Sequence, residues 1–170
     1  SPYIVSTYLF NLHRSFLERG IDPVVSIVTA LGENHFEIRD SYVVPKSGAK
    51  VELNSVETGL FNIFQMRSER ATLSIDDGQG ATFAVTADEI HLDYQFDANP
   101  GRPKVTIRGD VYAQMEESFE RVDPSDLEKY ERRLEKQINK QMTALLNKLK
   151  ENRVDPFGFG LRYRAVHMMD

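Results

Sequence analysis

Hydrophobic positions change their period along the chain, and each change marks an element. Between residues 3 and 19, Val5, Tyr8, Leu9, Leu12 and Phe16 recur at helical spacing, with Pro2 suited to a first turn and Gly20 to a stop. Residues 21–31, led in by Asp22-Pro23, read as a strand, and Gly32-Glu33-Asn34 as a turn. Residues 35–44 read as a second strand, with Arg39-Asp40 a bulge or turn. A polar loop over 45–50 precedes a helix over about 55–67. Asn54 and Glu57 form a capping box there, and Val56, Leu60, Ile63 and Phe64 are its expected buried face.

The middle of the chain alternates with period two. Residues 71–75 and 81–86 flank Asp76-Asp77-Gly78-Gln79-Gly80, a hairpin with turn chemistry in place. Ile90, Leu92, Tyr94 and Phe96 alternate with His91, Asp93 and Gln95, as a half-buried strand requires. After a turn at 99–103, Val105, Ile107, Val111 and Tyr112 give another strand with Gly109 as its bulge. Pro124 opens the longest element, a helix to about Arg153 in which Leu127, Tyr130, Leu134, Ile138, Met142, Leu145 and Leu149 recur at helical spacing. Acids lead that helix and bases close it, which complements its dipole. Its centre, Ile138 with Leu134, Met142 and Leu145, is expected to pack on the sheet. Residues 161–169 alternate and read as a final strand. The fold class is therefore α+β: a mostly antiparallel sheet, a long C-terminal helix packed on one face, and shorter helices. The 170 residues are expected to form one domain.

Composition narrows the chemistry. The absence of cysteine excludes disulfides, thiol catalysis and cysteine-based metal sites. A formal charge of −5 argues against nucleic acid as a partner. The longest apolar stretch, residues 24–31, is far short of the roughly 18 residues of a membrane span, so the chain by itself is expected to be soluble. A start at Ser1-Pro2 reads as a partial or processed chain.

No constellation argues for catalysis. His13, His35, His91 and His167 lack the spacing of a helix-borne metal pair. The aspartates of 76–80 lack the ligand spacing of a calcium loop. Phe157-Gly158-Phe159-Gly160 contains G-x-G, but no helix is expected directly after it, as a phosphate loop would need. The acids between Asp110 and Glu128 read as a solvated edge. A heptad through the long helix would place Gln137, Gln141 and Lys148 in its seam, so packing on its own sheet is favoured over a coiled coil. No cofactor, metal or catalytic residue is expected.

The segment after the long helix, Arg153-Val154-Asp155-Pro156-Phe157-Gly158-Phe159-Gly160, carries an Asp-x-Phe-Gly-x-Gly pattern. It resembles the end of the last domain of the Ger(x)C family, the C subunits of spore germinant receptors. Gly20-Ile21-Asp22-Pro23 before an apolar strand, and the strand-to-helix passage from Glu52 to Phe61, are similar too. The resemblance departs at the end, where the family continues with a Pro-x-x-Trp stretch and further strands, so the sheet is expected to lack its final strands. It implies a non-enzymatic lipoprotein domain on the outer surface of the spore inner membrane. A lipid anchor outside this chain and integral-membrane A and B subunits as partners come with it, in nutrient-triggered germination. A small-molecule or lipid-binding module is the alternative, and would need an apolar cavity of several hundred Å³ between sheet and helix. Asp155, Phe157, Gly158, Phe159 and Gly160 are the candidate motif, either shaping the turn or contacting a partner. Two glycines in three positions suggest positive φ or a close backbone approach.

Overall fold

The computed structural model describes residues 4, 5, 7–32, 34–65, 71–76, 82–97, 103–118 and 124–167. The elements run α1 (Leu9–Leu17), β1 (Val24–Ala30), β2 (Phe36–Val43), β3 (Val51–Leu53), α2 (Ser55–Phe64), β4 (Ala71–Asp76), β5 (Thr82–Asp97), β6 (Lys104–Ser118), a 3-10 turn (Pro124–Asp126), α3 (Leu127–Glu151) and α4 (Phe159–His167). The class is α+β, as the patterns predict. The expected single sheet is instead two antiparallel three-stranded sheets, β1-β2-β3 and β4-β5-β6.

In the first sheet, Ser26 pairs with Ser41 and Val28 with Ile38, so Arg39 and Asp40 together face the single residue Ile27. That is the bulge expected at Arg39-Asp40. In the second sheet the two expected strands around residues 81–96 are one, β5, because Asp88 is accommodated as an extra residue between the pairs Ala87–Ala113 and Glu89–Tyr112. Gly109 is not a bulge. It pairs directly with Leu92, and a Cβ there would lie 2.9 Å from Leu92 Cδ2, the movable end of that side chain. The hairpin tip at 77–81 lies outside the described residues, as does most of the turn at 99–103. The pairing of Asp76 with Thr82 places the first of these hairpins where turn chemistry puts it.

The capping box forms: Asn54 Oδ1 accepts from Glu57 N and Glu57 Oε2 accepts from Asn54 N, each at 2.9 Å. Lys148 Nζ, 2.6 Å from the same Glu57 carboxylate, ties α3 to the start of α2. The core lies between the first sheet (Val24, Val43, Val51, Leu53), α2 (Leu60, Phe61) and one half of α3 (Met142, Leu145, Leu149). Val56, expected inside, is exposed, and Phe61 takes its place in the core.

Only the C-terminal half of α3 is buried. Leu134 and Ile138 are half-buried and line a groove; Leu134, with Tyr130, packs on Val85 of the second sheet, as expected of the helix, whereas Ile138 faces the open gap. The α3 end is a Schellman turn. Val154 N donates to Leu149 O, Arg153 N to Lys150 O, and Arg153 takes the left-handed position at φ 55°. The expected final strand is helix α4, which Asp155 caps at its start.

Candidate functional site

The Asp155–Gly160 segment folds against residues 20–23 from the other end of the chain. Asp22 and Asp155 exchange bonds: Asp22 N donates to the Asp155 backbone carbonyl at 2.9 Å, and Asp155 N donates to the Asp22 side-chain Oδ2 at 2.7 Å. Every helix begins with four N–H groups that lack internal partners. In α4 all four are met. Gly158 N donates to Asp155 O, Phe159 N to Asp155 Oδ1, Gly160 N to Asp155 Oδ2, and Leu161 N to Gly20 O. Leu161-Arg162-Tyr163-Arg164 alternates like a strand, but this cap starts a helix just before it. The carboxylate also suits the positive end of the helix.

Both glycine arguments hold. Gly158 has φ 71°, a left-handed angle that favours glycine. Gly160 is the close approach, since its Cβ would lie 3.2 Å from Gly20 Cα. The partner is a turn, not a strand. Gly20 shares the constraint: at φ 82°, its Cβ would lie 2.6 Å from Leu161 N.

The phenylalanines divide the work. Phe157 is buried against Phe61, with ring centroids 5.3 Å apart, and stacks on Phe159 at the same distance. Phe159 is half-buried and reaches Phe96 on β5 at 6.5 Å. Arg162 sits 4.7 Å above the Tyr94 ring, and the Tyr94 hydroxyl donates to Phe64 O. Burial raises the Tyr94 pKa. Burial, aided slightly by the neighbouring Asp22 charge, also pushes the Asp155 carboxyl above its ordinary range, against the lowering pull of the Gly160, Phe159 and Gly158 N–H groups. These contacts engage Asp155 and Phe157 internally, so the segment joins α3, α2, the α1–β1 loop and the second sheet.

Two further surfaces stand out. The first is a groove of about 850 Å³ between the second sheet, α2 and the N-terminal half of α3. Ile90, Leu92, Ile107 and Val111 form its sheet wall, Leu134 and Ile138 its helix wall, and Leu60, Ile63 and Phe64 its floor. Glu131, Glu135 and Asn139 edge it. Sequence periodicity identified the apolar wall residues but not the gap between them.

The second is α1. The helix expected over residues 3–19 runs from Leu9 to Leu17, and much of its apolar side is open: Leu9 is 81% and Phe10 73% exposed, with Tyr8, Phe16 and Leu17 exposed as well. The helix rests instead on Leu12 and the buried Ser15, whose hydroxyl donates to Asn11 O and Leu12 O. Val28, Leu31 and Phe36 at the far end of the β1–β2 hairpin are exposed too.

The histidines are not brought together. His13 lies on α1, His35 ahead of β2 and His91 on β5 beside Glu89 at 2.8 Å, while the His167 side chain lies outside the described residues. Among the described residues, no group of three or more histidines and acids is placed to hold a metal. No described helix is long and apolar enough to cross a membrane. Of the acidic stretch, Asp110 and Asp126 are exposed, and residues 119–123 lie outside the described residues.

Neither curated proteins nor solved structures yielded a match. One family model does match, over residues 44–169, and it covers β3 through α4 including the Asp155–Gly160 segment. By that span, about three-quarters of its length, the chain belongs to the spore germination B3/GerAC like, C-terminal family.

Proposed function

We propose that this chain is a non-enzymatic domain of a spore germinant receptor C subunit that works by protein–protein contact in receptor assembly or signalling. Its partners in this reading are the integral-membrane A and B subunits. The full-length protein would be held at the outer surface of the spore inner membrane by a lipid anchor outside this chain. The observation that carries the reading is the family match, and the exposed apolar face of α1 supports it. Contiguous exposed aromatic and aliphatic side chains are the mark of an interaction surface. We also propose that residues 1–170 act as one domain. Val24 and Val43, ahead of the matched span, share a core cluster with Leu53, Phe61 and Leu145 within it. Asp155, Phe157, Gly158, Phe159 and Gly160 then serve as the structural fastening behind the contact surfaces.

Co-purification of the full-length protein with its A and B subunits tests the assembly reading. Leu9→Asp/Phe10→Asp should abolish retention and leave stability within about 0.5 kcal/mol of wild type, because both side chains are largely exposed. Full retention of that variant would refute a role for α1.

A second reading, a small-molecule or lipid-binding module, is favoured by one observation. The groove volume of about 850 Å³ falls within the range of ligand sites, roughly 300–1,000 Å³.

A further inference from the structure

We propose that the groove between α3 and the β5–β6 ribbon is a docking site for an amphipathic helix of a protein partner. That helix would be apolar along one face and carry Lys or Arg beside it. The proposal rests on the reading of this chain as an assembly subunit, and names the partner chemistry. Leu134 and Ile138 lie one helical turn apart on α3, half-buried, on the groove wall opposite Ile90 and Leu92. The C-terminal half of α3 buries the same stripe in the core, and Tyr130 and Leu134 pack on Val85 of β5, so the open stretch of the seam is centred on Ile138.

Charge selects the occupant. Glu131 and Glu135, also one turn apart, run along the α3 edge of the groove, while Arg108 and Asp110 alternate with Ile107 and Val111 and so belong to the opposite face of β6. The two carboxylates of Glu131 and Glu135 make the α3 edge negative. Acids stepped by one turn beside an apolar stripe match bases stepped by one turn on an incoming helix, as flanking positions do in paired helices. An acyl chain would fill the apolar wall but gain nothing from a stepped acidic edge. Helix-in-groove docking is the recognition mode that uses both features.

The probe is a fluorescein-labelled 18-residue helical peptide with Leu at i, i+3, i+4 and i+7 and Lys on both flanks. The same peptide with Glu for Lys is its control, and palmitate is the apolar probe. By anisotropy at low salt, the Lys peptide should bind the 170-residue chain at least about tenfold more tightly than the Glu peptide. Glu131→Lys/Glu135→Lys should invert that order with an unchanged melting temperature, and Ile138→Lys should abolish binding of both. Equal affinities, failure of the Lys peptide to bind, or indifference to these substitutions overturns the proposal. Binding of palmitate without the Lys peptide also overturns it, in favour of a small apolar ligand. In the receptor, a full-length Glu131→Lys/Glu135→Lys protein retained like wild type sinks the groove and leaves the assembly reading standing. A wild-type protein that fails to co-purify sinks the assembly reading, while the peptide result still judges the groove.

Discussion

Replacing Asp155 with Ala removes the carboxylate that accepts from Phe159 N at 3.1 Å and Gly160 N at 2.7 Å. Two N–H groups at the start of α4 then lose their partners in a partly buried place. Losing a helix cap costs roughly 0.5–2 kcal/mol, and an orphaned buried donor about 1–3 kcal/mol. Part of that returns, because the substitution also relieves the desolvation of a carboxylate that burial already disfavours. The bond from Asp22 N to the Asp155 backbone carbonyl survives. A net loss of about 2 kcal/mol follows, which lowers the melting temperature of a chain this size by roughly 4–8 °C. Urea unfolding followed by far-UV circular dichroism measures it. A midpoint within about 0.5 kcal/mol of wild type would refute the capping account of α4.

Asp155→Asn adds a test of the charge. The folded carboxyl titrates above its ordinary value of 3.8, chiefly through burial. Between that value and the folded one, the native state holds the proton more tightly than the unfolded chain. This contribution to stability is complete below pH 3.8 and is lost as pH rises through the folded pKa. Wild type should therefore gain on Asp155→Asn, which does not titrate, as pH is lowered from neutrality toward 3.8. A gap that widens in favour of Asn on acidification would mean that the N–H groups outweigh burial.

Two other perturbations probe the packing. Gly20→Ala brings a Cβ within 2.6 Å of Leu161 N at a φ of 82° and should cost about 3 kcal/mol or more by urea unfolding. Gly32→Ala, at a similar φ of 83° with nothing within 4 Å, should cost only about 1 kcal/mol, so equal losses would refute the close approach. Leu145→Ala, at a core position 1% exposed, should lose about 2–5 kcal/mol in melting experiments, and Ile138→Ala in the groove wall much less; the reverse order would refute the half-buried placement of α3.

What was legible in the sequence was local. Asn54 and Glu57 form a cap across three residues, and the alternation from Ile90 to Phe96 follows from one pleated face, so neither needs knowledge of distant chain. The α4 helix was misread because the strand-like order of residues 161–164 is local, whereas the acceptor for Leu161 N is the carbonyl of Gly20 at the other end of the chain. Periodicity likewise found the apolar side of α3 but not how far the opposing sheet extends. That side is core at Leu145 and groove at Ile138. Hairpin chemistry identified strand pairs; that the pairs build two sheets depends on which strands stop short, and no turn residue records it. In the candidate motif, Gly158 and Gly160 suggested positive φ or a close approach, and the fold uses one at each glycine, but the turn at Gly20 that meets Gly160 was not legible.

The fastening at Asp155–Gly160 makes the ends of the chain mechanically dependent on each other. Residues 20–23 precede the matched family span, yet their backbone supplies partners for both Asp155 and α4. From the same segment Phe159 reaches Phe96, and Arg162 covers Tyr94, on the β5 strand that also forms the groove wall. Loosening the fastening should therefore reduce stability and every contact function together. Substitutions on the exposed face of α1, or along the acidic edge of α3, should alter contact while stability holds. A fastening variant with wild-type stability and lost assembly would place Asp155 or Phe159 in a partner interface and break that dependence.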